Sequence, residues 1–219
     1  LELSELYFNG NMVPRDVNKT LYYLNLAASQ NNLSAQYKLG VLYFNGVDVA
    51  RDINKAIYYI SLAANQGHVD AQYELGNVYL IGKYVPKDIK KAIHYLSAAA
   101  DNGHPYAQVI IGLSNLTGYH IPKNVHAAIY YLELASLKNN CYAQLNLGLI
   151  YYIGQDAKQD IEKAIYYFSL AANQNDPEAQ FCFGTIYYDN KYIDQDINKA
   201  IHYFSLVANE NYPEAQFNL

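Results

Sequence analysis

The chain has 219 residues, 52% of them hydrophobic, which is ample for a large buried core. Its formal net charge of −5 argues against nucleic acid or an anionic membrane as principal partner. No apolar run approaches the roughly eighteen residues a membrane helix needs, and the N-terminus carries no signal-peptide pattern. The two cysteines, Cys141 and Cys182, occupy non-equivalent places and make no disulfide framework. A cytoplasmic setting is therefore expected, with the endoplasmic reticulum lumen or secretion as the alternative.

The sequence repeats every 36 residues without insertion or deletion. A fixed period of this size predicts stacked units, not one closed core. Ala35, Ala71, Ala107, Ala143, Ala179 and Ala215 each open the dipeptide Ala-Gln. Tyr23, Tyr59, Tyr95, Tyr131, Tyr167 and Tyr203 recur in step, as do Asp16, Asp52, Asp88, Asn124, Asp160 and Asp196.

The chain opens in mid-repeat. Leu3 and Tyr7 stand where the next unit has Leu39 and Tyr43, so the first helix is expected to lack its opening turn. In the unit from Asp70 to Asn102, Ala71, Leu75, Val78 and Tyr79 follow helical spacing and predict helix A. Gly82 ends it, and its equivalents Gly10, Gly46, Gly118, Gly154 and Asn190 are only Gly or Asn, which tolerate the left-handed conformation. Asp88 is placed to cap helix B, which runs from Ile89 to about Asn102 and stops at Gly103. The equivalents of Gly103 are Asn31, Gly67, Asn139, Asn175 and Asn211. Two helix stops per period predict a helix-turn-helix unit. The last residues, Ala215 to Leu219, would begin a further helix A, so the array is expected to be one domain of about six repeats, cut mid-repeat at both ends.

Gly76 lies inside helix A, where glycine costs about 1 kcal/mol against alanine, yet Gly40, Gly112, Gly148 and Gly184 repeat it. Close approach of another helix is the expected reason, with the paired alanines of helix B, such as Ala63 and Ala64, as the facing small surface. Of 25 tyrosines, 17 fall at the four repeat places of Tyr7, Tyr22, Tyr23 and Tyr37. Such regularity predicts packing between repeats, since a ligand site needs convergence. The invariant Gln36 and its counterparts are expected to bridge neighbouring units.

The string Ala-Gln-Tyr-x-Leu-Gly-x-x-Tyr-x-x-Gly, followed by Asp-x-x-Lys-Ala-x-x-Tyr-Tyr-x-x-Ala-Ala-x-x-Gly, resembles the Sel-one-like repeat, a relative of the tetratricopeptide repeat. Residues 35–46 with 52–67 show it almost in full, and the resemblance covers the whole chain. It implies an all-α, right-handed α-α superhelix, a solenoid of 36-residue helix-turn-helix repeats whose helix A rows line the concave face. It also implies an adaptor or scaffold, and some members are appended to enzymes such as protein kinases. Secreted members carry a cysteine pair in each repeat. This chain lacks those pairs, so the β-lactam affinity of such members is not implied. The fourth unit departs from the pattern at Val109, Asn115, Asn124 and Ala127, and the lost ring at Asn115 is expected to leave a gap or bend.

Residues that vary between units at helical spacing are the candidates for contact. On helix A they form a stripe: Lys38 and Val41; Asp70, Glu74 and Asn77; Tyr106, Ile110 and Leu113; Tyr142, Asn146 and Leu149. The apolar middle of this stripe suits an extended or helical peptide. No catalytic constellation, phosphate loop or cofactor motif is present, and the six histidines show no metal spacing. Three glycosylation sequons occur, at Asn18, Asn32 and Asn115. The expected function is a non-enzymatic adaptor, monomeric in isolation, that binds protein or peptide. The alternative is a regulatory region excised from a larger enzyme such as a protein kinase.

Overall fold

In a computed structural model the chain is described over residues 1–189, 191 and 193–208, and all regular structure among these residues is helical. The elements run α1 (Glu2–Asn9), α2 (Val17–Ser29), α3 (Leu33–Asn45), α4 (Ile53–Asn65), α5 (Val69–Ile81) and α6 (Ile89–Asp101). They continue as α7 (Pro105–Thr117), α8 (Val125–Leu137), α9 (Cys141–Ile153), α10 (Ile161–Ala172), α11 (Pro177–Tyr188) and α12 (Ile197–Ala208). Odd-numbered helices are helix A and even-numbered ones helix B. The first is indeed short, 8 residues against 13 in α3. The expected stops at Asn190 and Asn211, and the expected helix from Ala215, lie outside the described residues.

Two compact units divide the chain, Leu1–Ala107 and Gln108–Leu219. Within each, helices adjacent in sequence pack together, as α3 on α4 and α4 on α5 in the first, or α9 on α10 and α10 on α11 in the second. Each unit is thus an all-α solenoid of helix pairs.

Helix ends follow the predicted chemistry. Asp52 accepts from the Lys55 amide at 3.0 Å, and Asp16, Asp88, Asp160 and Asp196 make the same bond, which satisfies one orphan donor of each helix B. Helix A stops at Gly46 with φ 67° and at Gly82 with φ 72°. Helix B is followed by Asn31, Asn139 and Asn175 at φ 60°, 59° and 63°, where asparagine bears the left-handed conformation.

The glycines inside helix A meet something other than the expected alanines. A Cβ on Gly76 would lie 2.7 Å from Cγ of Leu96, and one on Gly148 would lie 2.5 Å from Cδ1 of Phe168. The large side chain of the partner helix B lies across the glycine, so the missing Cβ makes room for a core residue. The alanines serve the next interface: Ala63 and Ala64 pack with Ala71 and Leu75 of the following helix A.

Tyrosines close most repeats internally as well as linking neighbours. Tyr43–Tyr59 and Tyr79–Tyr95 stack near-parallel at 6.1 and 6.2 Å, and Tyr151–Tyr167 do so at 6.0 Å. A lysine lies over the helix A ring of each pair: Lys55 at 5.1 Å, Lys91 at 5.0 Å and Lys163 at 4.7 Å from the ring centroid. The second ring reaches back one repeat, but to side-chain oxygens, not backbone: Tyr59 Oη donates to Asn25 and Tyr95 Oη to Asn65.

Gln36 and Gln72 are buried bridges. Gln36 donates to the Ala28 carbonyl of the preceding helix B at 3.3 Å and accepts from Gln66 of its own helix B at 2.9 Å. Gln72 repeats this with Ala64 and Asn102. A buried amide needs such partners, so these residues are part of the scaffold.

Candidate functional site

In the first unit the stripe is reachable along helix A. Lys38 on α3 pairs with Glu5 on α1, and Val41 is half-buried one turn along. Asp70 and Glu74 on α5 are exposed, and Asn77 is half-buried. Tyr106, 53% exposed, stands 6.3 Å from the Tyr73 ring. In the second unit Ile110 and Leu113 on α7 are half-buried. Tyr142 on α9 is 61% exposed, Asn146 donates back to its carbonyl at 2.7 Å, and Leu149 is half-buried beside exposed Ile153.

Among the described residues, two cavities at corresponding repeat places open on this face. One of about 270 Å³ lies between α1 and α3 and is lined by Phe8, Thr20, Leu24, Lys38 and Leu42. The other, of about 210 Å³, is lined by Leu116, Asn146, Leu149, Ile150 and Ile153. Phe8 and Leu116, Lys38 and Asn146, and Leu42 and Ile150 are the same repeat places, so each unit opens the same kind of furrow between successive A helices. Sequence periodicity gave no sign of which furrows stay open. That depends on side-chain volumes: in the next furrow along, Phe44 and Tyr84 meet edge-on at 5.5 Å, and Arg51 donates to the Tyr84 hydroxyl at 2.9 Å.

The charges of the first unit's face show a local pattern. Burial and the negative Asp70 raise the pKa of the Glu74 carboxyl, although the residue as a whole stays exposed. Across from it on α3, burial together with Glu74 and Asp70 pushes the Tyr37 hydroxyl up to about 12. His68 and His104 were not singled out by the sequence, yet both cap helix A, each Nδ1 accepting an amide three residues on at 3.3 Å. His68 stacks on Tyr37 at 4.5 Å and His104 on Tyr73 at 4.0 Å, with His104 Nε2 3.8 Å from Asp70. Their place, three residues before the repeated Ala-Gln alanine where other repeats have Asn32, Asn140 and Asp176, was the available signal.

Neither cysteine is activated. Burial raises the Cys141 thiol to about 11 and Cys182 to about 12, so both remain protonated at neutral pH. No group of three or more metal-binding side chains occurs among the described residues. No helix among them is long and apolar enough to cross a membrane. Of the three sequon asparagines, Asn115 is buried within α7 and donates to the Ile111 carbonyl at 2.9 Å, which leaves no room for a glycan on the folded chain.

The repeated helix pair, its internal glycine and its glutamine bridge match the Sel1 repeat over residues 1–32, 33–68, 69–104, 105–140, 141–176 and 177–212. The chain belongs to the Sel1 repeat family. It is similar in structure to a Sel1 repeat protein of Oxalobacter formigenes, with 30% identity, a TM-score of 0.77 and coverage of 99% of this chain and 62% of that one. It is also similar to c5321, described as a protective antigen of uropathogenic Escherichia coli with an SLR fold, at 25% identity and a TM-score of 0.66, covering 100% of this chain and 55% of that one. A putative Sel1 repeat protein from Klebsiella pneumoniae, at 22% identity and a TM-score of 0.52, covers 90% of this chain and 96% of that one and shares the fold. The chain therefore spans less than two thirds of the first two relatives. No curated protein matches it significantly. Sel1 repeats typically serve as protein-interaction scaffolds.

Proposed function

We propose that the chain is a non-enzymatic scaffold that holds a peptide or protein segment against its helix A face. The observation that supports this most directly is the pair of cavities. Both fall at the same repeat places, and both include residues of the variable stripe, Lys38 in one and Asn146 with Leu149 in the other. A variable face with apolar recesses on a scaffold of invariant packing residues suits partner recognition. The two free, protonated thiols suit a reducing compartment such as the cytoplasm. The test is selection of binding peptides from a random display library, repeated with Leu113→Asp and Leu149→Asp, helical content being checked by circular dichroism. Weaker recovery on a folded variant supports the face. Equal recovery with intact helices removes it.

A further inference from the structure

The face of the first unit carries two carboxylates one turn apart on one helix A and a neighbouring apolar cavity, whereas the same two places on α11 of the second unit hold Glu178 and Cys182. Asp70 and Glu74 lie one turn apart on α5, and among the described residues neither forms an ion pair with lysine or arginine. Several other carboxylates of this unit are matched, as in Glu5–Lys38, Asp48–Arg15, Asp52–Lys55 and Asp88–Lys91. His104 Nε2 approaches Asp70 at 3.8 Å, Tyr37 on α3 lies near both carboxylates, and the Tyr106 ring on α7 stands 6.1 Å from that of His104. The cavity of about 270 Å³ lies one furrow away, between α1 and α3.

We propose that the first unit binds an extended peptide whose apolar side chain fills the α1–α3 cavity and whose lysine or arginine, about three residues away, pairs with Asp70 and Glu74. This rests on the peptide-holding reading given above and adds the chemistry of the occupant. The spacing follows from geometry: neighbouring helix axes lie about 8–10 Å apart, and an extended chain covers about 3.3 Å per residue. The sign follows from charge complementarity. Two carboxylates one turn apart repel, and partial burial raises that repulsion. A bound cation relieves it and gains from the adjacent rings. Binding then lowers the pKa of Glu74 and releases part of a proton at mildly acidic pH.

The experiment is peptide display on the intact chain and on the double variant Asp70→Asn with Glu74→Gln, both substitutions being isosteric and on exposed positions. Wild type is expected to enrich a basic residue about three places from an apolar one. The best such synthetic peptide is expected to bind the double variant about tenfold more weakly, and added salt should weaken wild type more than the variant. Enriched peptides without a basic residue, or equal affinity for the double variant, overturn the proposal. Enriched peptides that lose binding only with Leu149→Asp overturn it while leaving the scaffold reading intact. Enrichment of no peptide at all removes both.

Discussion

The fifth repeat, α9 with α10, keeps a set of contacts that the fourth, α7 with α8, has lost as a group. In the fifth, Asp160 caps α10, Lys163 lies over Tyr151, and Tyr151 stacks on Tyr167. In the fourth, Asn124, Ala127 and Asn115 stand at the places of Asp160, Lys163 and Tyr151. Yet the helices end in the same places. Asn124 still accepts the Ala127 amide at 3.1 Å, and its own amide still donates to the Asn115 carbonyl at 2.8 Å. Backbone geometry therefore needs only a short acceptor at the cap. The contact shown for the Lys163 ammonium is the Tyr151 ring below it, so loss of that ring removes the lysine's partner. Three substitutions read separately in the sequence amount to one physical event. The gap expected at Asn115 is moderated by its own amide, which turns back onto the Ile111 carbonyl and stays buried.

Substitutions can break or sharpen this contrast. Truncation of the core should affect both repeats: Phe168→Ala is expected to lower stability by about 3–5 kcal/mol and Leu132→Ala by about 2–5 kcal/mol in urea unfolding, both side chains being fully buried. The glycines should separate the two repeats. Gly148→Ala sets a methyl 2.5 Å from the Phe168 ring and should lower stability by about 1–3 kcal/mol. Gly112→Ala meets Leu132 at 3.0 Å and should lower it less, since leucine turns aside more easily than a ring. Cap removal should restore equality: Asp160→Ala and Asn124→Ala each lose about 1 kcal/mol in urea unfolding, and a much larger loss for Asp160 would mean that its carboxylate contributes beyond the cap bond. The smallest effect is a gain. Asn115→Tyr with Ala127→Lys should be more stable than the sum of the single changes by about 0.5–1 kcal/mol in a double-mutant cycle.

Periodicity carried most of the fold. Helix caps, left-handed stops and the burial of Gln36 follow from residue type and spacing, because those effects act within a few residues. The glycine contact did not follow. Its partner, Leu96 for Gly76, is twenty residues away, and spacing alone does not distinguish a large facing residue from a small one. The candidate face was legible as a variable stripe, but its relief was not. Whether a furrow is open depends on which side chains meet across it, as Phe44, Arg51 and Tyr84 do in one place and Phe8 and Leu42 do not in another. His68 and His104 went unread as caps because imidazole seldom takes that role.

The glutamine bridge has a consequence for how such a chain can change in length. The bridges of Gln36, Gln72 and Gln144 each join one repeat to the helix before it and to the end of its own second helix, using the same amide atoms. Recombination that adds or deletes 36 residues in register recreates every bridge at the new junction. A slip of one residue instead strands a buried amide at about 1–3 kcal/mol per junction. Gene-level gain and loss of whole repeats is thus nearly silent to folding, and partner specificity can drift by exchange of intact units as well as by point substitution.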